Sequence, residues 1–323
     1  MYPTLKWSRS SETVARKVFL VGSTIINPLT FFIDAPFGRF TLKNQNSIFI
    51  VDGSSNLSHD TLYVTHAQPR AGIRSWIAME LVAPITFIYS FFHSPLSPVD
   101  FGHAPPLSLS HPPTFLGALF LLHYLNRAIV SPLRTPSRSK SHLLVTFCAV
   151  SFNIGNGLLM GTYLSSPSAT RFLDDAFSRP LFWVGVGLWA LGYAGNILHD
   201  EILLNLRRSA QAKGKARARD DDDDNGKSKQ EHYAIPYGYL YQLISYPNYF
   251  CEWIEWLGFA LAASPAPSLV SVSDFLDTIT PPFVFVVTEV LLMLPRAYRG
   301  HKWYRNRFPD YPKGRKAVIP FLF

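Results

Sequence analysis

Three side chains in the stretch Ser245–Phe259 are of types that hold a polar ligand or carry proton chemistry: Asn248, Glu252 and Glu255. Their spacing of i, i+4 and i+7 puts them on one helix face. They sit inside an otherwise aromatic and apolar run, SYPNYFCEWIEWLGF. A charged side chain at membrane depth costs about 2.5–3.5 kcal/mol on insertion scales, so such a face pairs with something or lines a polar cavity. Other apolar blocks carry further polar groups. Glu80 stands in SWIAMELVAP, Tyr124 in HYLNRAIV, and Asn153 and Asn156 in SFNIGNGLLMG. Asn196, Asp200 and Arg207 in GNILHDEILLNLR again share roughly one face, at i, i+4 and i+11. Singly, each reads equally well as a hydrogen-bond partner between helices, and Tyr124 as a packed aromatic. As a set, most lie near one end of their blocks and beside cationic segments. Cations, amides and carboxylates around one cavity suit a ligand that bears phosphate and ribose. No Gly-x-Gly-x-x-Gly follows a strand pattern and no Gly-x-x-x-x-Gly-Lys-Ser/Thr is present, so neither a Rossmann fold nor a P-loop is the binder.

The elements that must position these groups read as membrane helices. Of 323 residues, 48% are hydrophobic and 15% aromatic, while only 16% are charged, against about 25% in an average soluble domain. The apolar residues come in blocks near 17–33, 76–96, 113–132, 143–164, 181–199, 250–270 and 281–295. Most approach the roughly 20 residues that cross a 30 Å hydrocarbon core. The first is interrupted by Asn27-Pro28, and the last is short. The expected fold is therefore an all-α integral membrane protein, a seven-transmembrane-helix bundle with a cytosol-facing cofactor cavity. It forms one domain over 1–323 without internal repeats.

A net charge of +8 raises the question of nucleic acid, which the distribution answers. Links 34–75, 133–142 and 200–249 and the tail 296–323 carry most of the Lys and Arg, including Arg39, Lys43, Arg134 and Arg208. The alternate links 97–112 and 271–280 have none, and 165–180 has only Arg171 and Arg179. This asymmetry places the C-terminus in the cytosol. Lys6, Arg9, Arg16 and Lys17 run against it, because they fall on the expected lumenal side. Residues 207–232, where basic residues run into Asp220–Asp224, have little to bury and read as a flexible cytosolic loop. His103 and His111 read as loop residues. The two cysteines, Cys148 and Cys251, offer neither a disulfide framework nor a zinc spacing, so no metal is expected. No signal-peptide pattern opens the chain, and insertion by the first hydrophobic span is expected.

The same residues resemble the steroid 5-alpha-reductase family. The resemblance is strongest over 233–323: YAIPYGYLYQLISYPNYFCEWIEWLGFALA, then RAYRGHKWY and FPDYPKGRKAVIPFLF. Shorter matches lie at Trp76–Pro84, His123–Arg127, Gly155–Tyr163 and Gly195–Arg207, with Phe37-Gly38-Arg39 upstream. The resemblance implies reduction by NADPH of a carbon–carbon double bond conjugated to a ketone, on a lipid, in a seven-helix membrane fold. Carried over by motif, Asn196, Asp200, Arg207, Asn248, Glu252, Arg296 and Tyr304 would hold the cofactor. Glu80 and Tyr124 would hold the substrate carbonyl. The chain departs from the family pattern at Ala234, where a basic residue is usual, and at Ala149, where some members have arginine. It departs again at Tyr239 and Cys251, each in place of a glycine, and at Gly300, in place of a histidine.

The expectation is an endoplasmic-reticulum enzyme that reduces a 4-ene-3-one steroid or similar enone terpenoid, with membrane lipid around it. Neither nucleic acid nor an obligate protein partner is implied. Alternatives within the superfamily are very-long-chain enoyl-CoA reductases and polyprenol reductases. From other classes come a membrane methyltransferase of the isoprenylcysteine type and a non-enzymatic sterol-binding protein.

Overall fold

Proline at or near the start of several apolar blocks (Pro112, Pro167, Pro180, Pro247, Pro281) marks the first helical turn, where its missing N–H goes unneeded. In the computed structural model, which describes residues 11–32, 71–96, 105–136, 143–220 and 233–323, helices begin at each of them. The long elements are α1 (Ser11–Phe32), α2 (Ala71–His93), α3 (Pro112–Tyr124), α5 (Leu143–Leu164), α7 (Pro180–Asp220), α8 (Pro247–Ala263) and α10 (Pro281–Arg307). A π-helical turn, Leu125–Val130, joins α3 to the short α4 (Ser131–Arg134). Two further short helices, α6 (Pro167–Leu173) and α9 (Val272–Thr278), lie in the links. By length and composition, five stretches are apolar enough to cross a membrane: Gly72–His93, Pro112–Arg134, Val145–Leu164, Pro180–Ala210 and Pro281–Arg307. Among the described residues there is no sheet, only one isolated parallel bridge between Ile244 and Lys316.

Small residues let the helices approach in pairs. In the antiparallel pair α7–α8, a Cβ at Gly185 would stand 2.7 Å from the Gly258 carbonyl oxygen. In the parallel pair α2–α5, a Cβ at Gly161 would stand 2.5 Å from the Phe87 carbonyl oxygen. Between these pairs lies an aromatic core: Phe87 on Phe120 at 4.4 Å, and Phe285 edge-on to Trp256 at 4.6 Å. α1 runs beside α10, with Ser23 and Thr288 hydroxyls 3.2 Å apart.

The polar contacts sort to the two ends of the bundle. At one end Glu201 takes Arg134 at 2.7 Å and Arg208 at 2.8 Å. At the other, Ser94 meets Ser165 at 2.7 Å and Thr280 donates to Ser264 at 2.8 Å. The basic residues that run against the charge asymmetry have partners at this second end. Buried Arg16 donates to the Ile279 carbonyl, and Lys17 pairs with Asp277 at 3.0 Å. Lys17 thus neutralises one of the two acids in the link 271–280, which carries no base. Lys6 and Arg9, Phe37-Gly38-Arg39, Lys43 and His103 lie outside the described residues.

Three boundaries differ from expectation. The sixth block ends at Ala263 instead of 270, because Pro265 and Pro267 deny the helix donors just beyond it. The seventh runs on to Arg307, through Pro295. α7 continues through 207–220, where a loop was expected. Ala, Lys and Arg there are strong helix formers whatever their charge. The remainder, 221–232, lies outside the described residues.

The C-terminal segment folds back over the start of α8. Ser245 N donates to the Lys316 carbonyl at 2.9 Å and Tyr246 N to Ala317 at 3.0 Å. The Ser245 hydroxyl lies 2.6 Å from both His301 Nδ1 and the Tyr311 hydroxyl. Gly300 makes room for this: a Cβ there would strike the Tyr246 hydroxyl. Tyr239, by contrast, holds φ at +45°, in the left-handed region where a glycine is unstrained. Its ring is 65% exposed and so gains little by packing. Tyr239→Gly is therefore expected to stabilise the detergent-solubilised protein by about 1 kcal/mol. A lowered thermal midpoint would show instead that the ring contact with His199, at 6.2 Å, outweighs the backbone strain.

Candidate active site

Arg127 sits on the π-helical turn immediately after Tyr124. A π-turn hydrogen-bonds i to i+5 and widens the helix, and such turns recur at functional sites. Here the Arg127 carbonyl accepts from the Trp76 indole at 3.4 Å. Its guanidinium reaches inward to two carboxylates on two other helices. Nε meets Glu80 Oε2 of α2 at 3.2 Å, and Nη1 meets Glu252 Oε1 of α8 at 2.9 Å. Both carboxylates are buried, so their charges depend on this cation and on hydrogen bonds.

From Glu252 a chain of hydrogen bonds runs to the end of the bundle that carries Arg134 and Arg208. Asn196 Nδ2 of α7 donates to Glu252 Oε2 at 3.3 Å and to the Asn248 carbonyl at 3.1 Å. Asn248 Nδ2 in turn donates to Asp200 Oδ1 at 3.0 Å. The two helix faces expected from spacing alone thus meet each other. The third member of the α8 face, Glu255, accepts from His123 Nδ1 at 2.7 Å. The first turn of α8 has no side-chain cap, which leaves backbone N–H groups and the positive end of the helix dipole beside Asn248.

Tyr124 is buried on α3, packed at 4.8 Å against Phe120. Its hydroxyl oxygen accepts from Asn156 Nδ2 of α5 at 2.9 Å. Glu80, expected beside Tyr124 at the substrate carbonyl, pairs with Arg127, while Asn156 fixes the Tyr124 hydroxyl. A hydroxyl whose oxygen accepts from an amide keeps its own proton for another acceptor. Among the described residues nothing takes that proton.

The remaining expected residues are spread around the same end. Arg207 is exposed on α7, and among the described residues its side chain joins no part of the Glu252–Asp200 chain. Arg208, not singled out by spacing, is the residue that reaches Glu201 and the Arg134 carbonyl. Arg296 is half-buried on α10. Tyr304 is buried and stacks on Tyr311 at 5.4 Å. Asn156, noted among the polar groups of the apolar blocks without a role, completes the network with two residues that were not singled out, Arg127 and His123. The signal for Arg127 and His123 was their own segment: an arginine and a histidine four apart in the otherwise apolar HYLNRAIV. Among the described residues no cluster could hold a metal ion.

Comparison with known proteins adds a family. The family model described as 3-oxo-5-alpha-steroid 4-dehydrogenase matches residues 139–218 and 223–323. An uncharacterized protein of Schizosaccharomyces pombe is 39% identical over 95% of this chain and 96% of its own length. Human 3-oxo-5-alpha-steroid 4-dehydrogenase 1 is 30% identical over 83% of this chain and 88% of its own. Human 3-oxo-5-alpha-steroid 4-dehydrogenase 2 is 34% identical over 68% of this chain and 72% of its own.

Proposed function

This chain belongs to the 3-oxo-5-alpha-steroid 4-dehydrogenase family, and from that premise we propose that it is a multi-pass membrane reductase that uses NADPH to saturate the double bond of a 4-ene-3-one steroid or similar enone lipid. The observation that carries the reading is the buried Tyr124 hydroxyl, held by Asn156 with its proton unclaimed among the described residues. NADPH, when bound, supplies a hydride to the carbon β to the ketone. Negative charge then grows on the ketone oxygen, and rate is gained only by stabilising that charge more than the ground state. Tyr124 donates to this oxygen, and with a solution pKa of about 10 a tyrosine has a proton to give at neutral pH. Glu80 shares the same end. It holds Arg127 Nε at 3.2 Å and so positions the cation that favours the growing enolate charge.

The residues present suit the cofactor. Asn196, Asp200, Asn248 and Glu252 offer amides and carboxylate acceptors of the kind that hold ribose hydroxyls and a carboxamide. The uncapped start of α8 favours an anionic or polar group. Arg207 and Arg296 are the proposed phosphate partners, and Tyr304 lines the same end. Glu252→Gln and Arg296→Ala are each expected to weaken NADPH binding at least tenfold in folded protein. Unchanged affinity in both, read by fluorescence titration, would remove the cofactor from this place.

Seven helices cross the membrane in this reading, adding α1 and α8 to the five apolar enough by composition, and the Arg134–Arg208 end faces the cytosol. The proposed location is the endoplasmic reticulum. A glycosylation tag inserted within 221–232 is expected to stay unmodified. Glycosylation there would reverse the orientation.

The activity itself is tested on membranes expressing the chain, given NADPH and testosterone or cholest-4-en-3-one. The expected result is NADPH consumption with a product two mass units heavier. Turnover of a polyprenol or enoyl-CoA with no reduction of either steroid would move the chain to those branches. Methyl transfer from S-adenosylmethionine would overturn the reading altogether.

A further inference from the structure

α10 brings one more carboxyl into the polar interior, and no part of the proposed mechanism uses it. Glu289 is 8% exposed and has no hydrogen-bond partner among the described residues. The residues around it on the helix are occupied. Thr288 meets Ser23 of α1, and Phe285, one turn earlier, packs edge-on to Trp256 of α8. Glu289 itself lies within electrostatic reach of Glu80, Arg127, Glu252 and Glu255, and acts on Tyr124. One turn beyond Phe285 on α10, it shares the face that packs on Trp256 and so faces the same interior as the network. Arg127 is already engaged by two carboxylates and makes no hydrogen bond to Glu289.

The Glu289 oxygens are not among the sealed unpartnered atoms of the interior, so they open on space from which a donor can come. The groups that could come to it are those of the ligand bound against Tyr124. We propose that Glu289 determines specificity by accepting a hydrogen bond from a hydroxyl of the substrate, so that the preferred substrate is an enone lipid with a hydroxyl close to its ketone. This rests on the proposed enone reduction, because the ketone at Tyr124 fixes which end of the ligand Glu289 meets. A site built around a ligand hydroxyl discriminates strongly against the analogue that lacks it, since the protein group is then stranded. A second ketone has no proton to offer and could be met only by a carboxyl that donates instead of accepting.

The test uses full-length protein in detergent or membranes and three steroids: androst-4-ene-3,17-dione, its 6β-hydroxy derivative and its 6-oxo derivative. For the wild type, kcat/KM is expected to favour the hydroxylated steroid over its parent at least tenfold, with no gain for the 6-oxo compound. Glu289→Met should bring the hydroxyl-to-parent ratio near one, chiefly by relieving the penalty that the parent meets at the stranded carboxyl. Glu289→Gln, which keeps a carbonyl acceptor, should keep most of the preference. Equal ratios in wild type and Glu289→Met, or an equal gain from the 6-oxo compound, would overturn the proposal. If none of the three is reduced, enone reduction itself fails for these substrates, and thermal stabilisation of purified protein by the same compounds decides about Glu289. A larger shift with the hydroxylated steroid, lost in Glu289→Met, supports the assignment. Equal shifts reject it. Retained NADPH binding shows that the variants are folded.

Discussion

Tyr124→Phe should lower turnover by about 10²–10³, the effect typical of losing one donor to a developing oxyanion. The substitution removes one oxygen from a buried ring that stays packed against Phe120. It leaves Asn156 without its acceptor, so a small loss of stability accompanies the loss of rate. NADPH affinity should barely change, because the ring stands apart from the Asn196–Asn248–Asp200 chain. Glu80→Gln should lower turnover at least tenfold by a different route, because Arg127 loses the carboxylate that holds its Nε in place. Single-turnover reduction, with hydride transfer limiting, separates these effects from product release. Wild-type rates in Tyr124→Phe under those conditions would disprove its role as the donor.

The second large effect is on the fold. Arg127→Met should cost about 3 kcal/mol, at the lower end for a broken buried pair because the guanidinium is itself 33% exposed while Glu80 and Glu252 are 6% and 3% exposed. The loss comes from two carboxylates stranded without their cation. The triple variant Arg127→Met, Glu80→Gln, Glu252→Gln should therefore be more stable than Arg127→Met alone, although two more polar contacts have been altered. Such non-additivity is the signature of groups that share one network. Chemical denaturation in mixed micelles measures it. A triple variant less stable than the single one would mean that Arg127 acts through its aliphatic packing and its stacking over Trp76, at 5.8 Å.

Much of this arrangement was legible before any coordinates, and what was not has a common cause. Periodicity places residues on a face of their own helix, and it correctly put Asn248, Glu252 and Glu255 together, and Asn196 with Asp200. It cannot say which face meets which. The pairing of Glu80 with Arg127, and of Tyr124 with Asn156 of α5, was therefore not legible. The π-turn after Tyr124 is equally invisible to a count of 3.6 residues per turn, yet it carries Arg127. Hydropathy found the long helices but misjudged two ends. At α8 it followed the apolar ALAAS past the point where Pro265 and Pro267 end the helix. At α7 it stopped where the charges began, although those residues are good helix formers. The family departures also gained physical content. Gly300 is the space that Tyr246 fills, and Tyr239 retains a backbone conformation suited to glycine.

The contacts of Arg16 with Ile279 and Lys17 with Asp277 bear on how the chain enters the membrane. More than 250 residues separate these partners in sequence. In the proposed seven-span topology, while the ribosome is still making the middle of the chain, the first helix carries Arg16 and Lys17 without these two partners, and the charge bias favours the opposite orientation. Only when α9 and the start of α10 emerge does the acid side of the clamp exist. In the proposed topology, the first helix thus acquires part of its final hold from the segment just before the last one, and a nascent chain that stops before Asp277 lacks that hold.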